Sequence, residues 1–195
     1  MPQGAYGEKS TSENASFADN GYYLGLEVNH YFKKHFGYGI GFDAGNNPVD
    51  IKAWENILIQ LGEQNPDLGS FDYEVFNIYG MFHSRLLISK GLWAEASPKL
   101  GFHTMNFPAR SYENKEIDSV YQSPLFSEGG DGTGFLLGGE AAVYYQINKI
   151  RIALTGDFIY SRPRFNYYDL YNGRYRFFSL NVSMLRPGFS LMYQL

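Results

Sequence analysis

Cysteine is absent from the 195 residues, which excludes disulfides and thiolate-ligated metals and leaves the redox compartment undetermined. No apolar run approaches the roughly 18 to 20 residues that a membrane-crossing helix needs. Bases are outnumbered, with 16 Lys and Arg against 20 Asp and Glu. That balance argues against nucleic acid as a partner, because neutralising phosphates takes a clustered basic surface. The opening Met1-Pro2-Gln3-Gly4 has no basic-then-apolar leader pattern, so any secretory signal is expected to lie outside the numbered residues. What the chain does hold is aromatic and small: 17 Tyr, 16 Phe and 22 Gly, with a hydrophobic fraction of 44%. Such a chain is too apolar for disorder, and residues 1–195 make one domain with a sizeable core.

Strict alternation dominates. Tyr22, Leu24, Leu26, Val28, His30 and Phe32 oppose Tyr23, Gly25, Glu27, Asn29 and Tyr31, and Phe36 to Ala44 alternates with Gly37 to Gly45 across the turn at Lys33-Lys34. Two further hairpins follow, around Ser89-Lys90-Gly91 and Asn148-Lys149, and a last strand closes the chain, with Leu185, Pro187, Phe189, Leu191, Tyr193 and Leu195 on one face. Seven strands are readable. Short turns fall at one end and long loops (46–72, 106–132 and 161–178) at the other. In an up-and-down order the first and last of these strands run the same way, so closure needs one more antiparallel strand, for which Pro2 to Gly7 is available. A helix is expected in the first long loop, with Asn47 as N-cap, Pro48 at its first position and a stripe of Ile51, Trp54, Ile57, Leu58 and Leu61 ending at Gly62. It would cover one end of the sheet or present a surface. Pro98 and Pro187 fall inside strands, where bulges or strand ends are expected.

Residue size tells which face is solvated. The strand faces that hold the charges Glu27, Asp43, Arg85, Glu95, Lys99, Glu140, Arg151, Asp157 and Arg186 also hold Gly37, Gly39, Gly41, Gly101, Gly138 and Gly188 beside large tyrosines. Glycine on a water-facing strand packs nothing, whereas in a narrow lumen small residues make room for large ones. Five acids and four bases suit a closed, ion-paired interior, and the opposite faces carry no charge over about ten residues, with aromatics near their ends. The pattern favours a membrane barrel over a soluble ligand-binding one.

The hairpin GYYLGLEVNHYFKKHFGYGIGFDAG, the strand LWAEASPKLGF and the C-terminal strand LRPGFSLMYQL resemble the small eight-stranded outer-membrane barrels of Gram-negative bacteria, of the OmpA/OmpX-like kind. The resemblance covers residues 20–195. It implies an all-β, up-and-down antiparallel transmembrane barrel of eight strands, the first short or truncated, in contact with outer-membrane lipid and lipopolysaccharide. It does not imply one activity, because that family includes anchors, adhesins, enzymes and accessory subunits.

Chemistry is sparse. His30, His35, His83 and His103 show no metal-ligand spacing, and no cofactor is expected. Ser97, His103 and Glu95 share a face, but Ser97 and His103 are about 20 Å apart at the strand rise, beyond hydrogen-bond reach. The run Gly129 to Gly134 precedes a strand and has no Walker lysine, so it reads as a flexible external loop. The carboxylates Glu113 and Glu116, and Glu128 near Asp131, leave a calcium role open. The remaining feature is loop charge: Asp50, Glu55, Glu63, Asp67 and Asp72 make the first long loop acidic, whereas Arg162, Arg164, Phe165, Tyr167, Tyr168, Tyr171, Arg174, Tyr175 and Arg176 make the last basic and aromatic. Tyr and Arg dominate binding hot spots, so that loop and the helix stripe are the candidate contacts for other outer-membrane or periplasmic proteins. The expected function is a non-enzymatic anchor or accessory subunit with a closed lumen. An outer-membrane enzyme and a small-solute channel are the alternatives.

Overall fold

The computed structural model describes residues 1–9, 16–60, 62, 67–108, 110–113, 130–169 and 174–193. Its strands are β1 (Pro2–Gln3), β2 (Tyr22–Tyr31), β3 (Phe36–Asn47), β4 (Asp67–Ser70), β5 (Tyr73–Ser89), β6 (Leu92–Phe107), β7 (Arg110–Glu113), β8 (Gly130–Ile147), β9 (Ile150–Ser161), β10 (Arg164–Asp169), β11 (Arg174–Ser179) and β12 (Val182–Tyr193). The helices are α1 (Gly4–Gly7) and α2 (Ile51–Gln60). The protein is all-β and antiparallel, and the main sheet runs β1-β12-β9-β8-β6-β5-β3-β2 in up-and-down order. Strands β10 and β11 extend it beside β8, while β4 and β7 pair separately beyond it.

Burial follows the alternation. Leu24 is 82% and Leu154 70% exposed on the outer face, whereas Asp43 and Lys99 are each 4% exposed on the inner one. The sheet curls until strands far apart in order touch. Arg186 on β12 reaches Asp43 on β3 at 2.8 Å, although five strand steps separate them, roughly 24 Å in a flat sheet. Glycines permit the inner packing. A Cβ on Gly41 would lie 2.6 Å from the Tyr79 ring, and one on Gly39 would overlap the Asn29 amide.

The sheet is not closed. Met1 donates its amine to the Leu185 carbonyl at 2.6 Å, Pro2 and Gln3 pair with Met184 and Ser183, and there the eighth position ends. The expected strand from Pro2 to Gly7 is therefore corrected to a two-residue stub, since Gly4 takes a positive φ of 58° and turns the chain into α1. Below the stub, the outer edges of β2 and β12 face a seam. Both run toward the short-turn end, being the first and last of seven long strands.

Several other expectations are corrected. The α2 cap is Asp50, whose carboxylate accepts the Ala53 N–H at 2.9 Å, and Asn47 instead ends β3 inside the core. The glycine run is no flexible loop: Gly130 to Gly134 belong to β8, and a Cβ on Gly132 would strike the Phe165 ring at 2.5 Å. The last long loop is in large part the β10–β11 hairpin. Neither proline makes a bulge. Opposite Pro98 the β5–β6 pairing lapses between Met81↔Lys99 and Ser84↔Ala96 but resumes in unchanged register. Pro187 pairs with Gly156 in an unbroken β9 ladder. Its nitrogen lies on the side that Leu185 turns toward Met1, so the missing N–H falls at the seam edge.

Candidate functional site

The inner face stacks three layers. At the long-loop end lies an apolar cap of Tyr6, Tyr73, Val75, Met105, Phe107, Leu136, Ile159, Phe165, Leu180, Val182 and Met184. Tyr6 meets Tyr73 edge-on at 5.2 Å, and Phe165 stacks on Phe178 at 4.9 Å. Asn47 ties this cap to the sheet: its Oδ1 accepts from the hydroxyls of Tyr6 (3.1 Å) and Tyr23, and its Nδ2 donates to the Asp19 carbonyl at 2.7 Å. Burial holds the Tyr6 hydroxyl well above its ordinary range, so it stays a neutral donor.

The middle layer is charged. Arg186 grips Asp43 with two nitrogens, at 2.8 and 3.0 Å, and also bonds Asp157. Asp43 accepts from Asn77 at 2.5 Å, and the Asn77 oxygen lies 2.7 Å from His103 Nδ1. Lys99 serves three acids, Glu140 at 2.8 Å, Asp157 at 3.4 Å and Glu27 at 3.5 Å, with its ammonium 4.7 Å from the Tyr79 ring centre. Five expected network members, Asp43, Glu140, Asp157, Lys99 and Arg186, are thus joined, with Glu27 at their margin.

The third layer lies toward the short turns. Glu95 is held by His83 Nδ1 at 2.8 Å and by the Tyr31 hydroxyl at 2.8 Å. Arg85, expected in the ion-paired interior, faces Glu95 across the β5–β6 ladder but makes no ion pair within 4 Å among the described residues. It donates to the Lys34 carbonyl (2.7 Å) and the Tyr144 hydroxyl (3.2 Å), and its guanidinium lies over Tyr31 and Trp93 at 3.8 and 4.9 Å. Arg151 packs over Tyr31 and Tyr144.

His83, weighed in the sequence only as a metal ligand, comes together with a serine and an acid where His103 does not. The arrangement is not that of a nucleophilic triad, because Ser97 Oγ (2.9 Å) and Glu95 Oε1 share the same Nδ1, while Nε2 faces Asn29 at 3.0 Å. A triad needs the serine and the acid on opposite nitrogens. The proximity follows from the register: His83 and Ser97 lie on neighbouring strands in the stretch opposite Pro98, a relation visible only once β5 is paired with β6. Among the described residues no group of three His, Asp or Glu could hold a metal ion.

The candidate contact residues divide. Trp54 is only 1% exposed, packed on Phe17 with ring centres 6.3 Å apart, and Ile57, Leu58, Val49 and Leu68 surround the pair. Ile51, Ile57 and Leu58 are half-buried, so the α2 stripe packs in part on this chain, with Trp54 its one fully covered member among the described residues. Phe165 is likewise buried, because it lies on the inner face of the hairpin. Arg162, Arg164, Arg174 and Tyr175 are exposed, with the Arg164 guanidinium 4.2 Å over the Phe177 ring. Tyr167 pairs with Arg176 and Tyr168 with Tyr175 in the backbone ladder. The side chains of Tyr167, Tyr168 and Arg176, and the whole of Leu61 and Tyr171, lie outside the described residues, as do Glu116 and Glu128. Lys9 fastens the N-terminal segment to Asp50 at 2.6 Å, and this bond together with the Ala53 N–H holds the Asp50 carboxyl below its usual range. No family model, curated protein or solved structure matches the chain.

Proposed function

We propose that the chain forms the wall of an outer-membrane β-barrel with a plugged polar interior, a non-enzymatic anchor or accessory subunit whose long-loop end meets its partners. One observation carries this reading: the apolar face of the long strands is exposed, and on β3, β5, β6 and β9 the alternate, charge-bearing face is largely buried, the reverse of a water-soluble sheet. Exposed Leu24, Ile40, Leu154, Phe189 and Leu191 would be a severe aggregation liability in water, and each gains by facing lipid. The resemblance to the OmpA/OmpX-like barrels agrees with it. Because hydrocarbon tolerates no unpaired strand edge, the seam between β2 and β12 takes an eighth strand, antiparallel to both.

A channel is disfavoured by the Lys99 and Arg186 clusters, which span the interior, and an enzyme by the His83 geometry. The exposed Arg162, Arg164, Arg174 and Tyr175 are the contacts we assign to an outer-membrane or periplasmic protein, or to lipopolysaccharide phosphates. Refolding into phosphatidylcholine vesicles tests the reading. Unboiled protein should migrate differently from boiled protein on a denaturing gel, and the strands should resist protease. Solubility without detergent and full digestion would overturn it. Affinity purification from detergent extracts, with the four exposed or loop arginines Arg162, Arg164, Arg174 and Arg176 changed together, tests the subunit role: a stoichiometric companion lost in the variant supports it.

A further inference from the structure

We propose that the short-turn end is a binding rim for anionic phospholipid headgroups, an inference that rests on the membrane reading above. All three short turns fall at that end, and each carries exposed lysine: Lys33 and Lys34 between β2 and β3, Lys90 between β5 and β6, and Lys149 between β8 and β9. Residues 31–36, 88–92 and 146–150 contain no Asp or Glu, although the chain as a whole has a net charge of −4. The acid nearest these turns in the fold, Glu95, points inward and is already held by His83 and Tyr31. Among the described residues the rim is therefore a cationic patch, with no acid in its turns, on an acidic protein.

Its position identifies the ligand. Each lysine stands within two residues of an exposed apolar side chain on the outer wall: Phe32 before Lys33 and Lys34, Ile88 before Lys90, Ile147 and Ile150 about Lys149. Three turns of unrelated sequence repeat this spacing. Where the apolar wall ends, lipid phosphates begin, and a lysine there keeps its stem along the wall while its ammonium reaches the phosphate. Lys149 already leans this way, with its ammonium 5.8 Å from the Tyr193 ring centre. An acidic protein would recognise the charges but would give no reason for the repeated apolar neighbour.

The test is native mass spectrometry of the chain in nanodiscs holding equal phosphatidylglycerol and phosphatidylcholine. Each lysine near an anionic surface contributes about fivefold in affinity, so the wild type should retain phosphatidylglycerol by roughly tenfold or more at low salt, falling toward parity in high salt. Changing Lys33, Lys34, Lys90 and Lys149 to Gln should abolish the preference. These side chains are exposed, so the fold should survive, and Lys52→Gln at the other end should behave as wild type. Insertion without any lipid preference, or a preference that persists in the fourfold variant, would overturn this proposal and leave the membrane reading standing. Retention of polyglutamate with no lipid preference would assign the rim to an acidic protein and overturn it equally. Failure to enter discs of either composition would defeat both.

Discussion

Asp43 and Asp157, on strands β3 and β9, are held by the single guanidinium of Arg186. If it is removed, Asp43 keeps only the Asn77 amide among the described residues, and Asp157 only a lysine it shares with two other acids. Lys99 touches Asp157 at 3.4 Å but already carries Glu140 and Glu27.

Arg186→Met should therefore cost about 3–5 kcal/mol of stability, the expected range when a buried ion pair loses one partner. Denaturant unfolding in detergent measures it. Adding Asp43→Asn to Arg186→Met should recover part of the loss, because one orphaned charge is gone. A loss under about 1 kcal/mol, or no recovery in the double variant, would show that Arg186 is not the cation both acids depend on.

The glycines of β3 should tolerate substitution unequally with those of the outer wall. Gly41→Ala drives a Cβ to 2.6 Å from the Tyr79 ring and should destabilise by about 1–3 kcal/mol, whereas Gly156→Ala meets nothing within 4 Å and should be neutral or stabilising by a few tenths to about 1 kcal/mol. Equal effects at the two positions would mean the inner face is less tightly packed than described.

Trp54→Ala should release α2 without loosening the wall, since the apolar neighbours of the Phe17–Trp54 pair are Val49, Ala53, Ile57, Leu58 and Leu68, none in a long strand. Hydrogen exchange should rise across 51–60 and stay unchanged in β5 and β6. Global unfolding of the variant would contradict a separately packed helix.

Acid should loosen the same region through Asp50. Its carboxyl is held low first by Lys9 and then by the Ala53 N–H, so its contribution is present above the ordinary carboxylate range and is lost as the pH falls through the lowered value. Lys9, bonded to the same carboxylate, is raised, so alkali removes its share only above the ordinary lysine range. Between those limits exchange at Ala53 should not vary for reasons of protonation, and Asp50→Asn should abolish the acid step. An acid step that persists in the variant would place its origin elsewhere.

The wall is legible because period-two alternation does not depend on partners: β3, β5, β6 and β9 bury the face read as inner and expose the other, whereas β2 at the seam is exposed on both. The β10–β11 hairpin was missed although Arg164 and Asn166 alternate with Phe165, because charge in a long interval reads as a loop until Phe107 and Gly132 are placed beneath it. The interior was legible as a set and not as pairs. Arg186 and Asp43 stand 143 positions apart, and only the curl of the sheet brings them together. The burial of Trp54 is not legible in the sequence because its cover, Phe17, comes from an N-terminal interval with no periodicity of its own.

The seven-fold count of long strands bears on self-assembly. With an odd number, both edges at the seam run the same way, so on the proposed membrane reading neighbouring copies in one orientation could join edge to edge only through parallel ladders, the slightly weaker pairing. The antiparallel join would require an upside-down neighbour, which insertion from one side of a membrane does not supply. If the chain inserts as proposed, strand parity would act as a guard against filament growth, with the open edges better matched to a single foreign strand than to another copy of the same sheet.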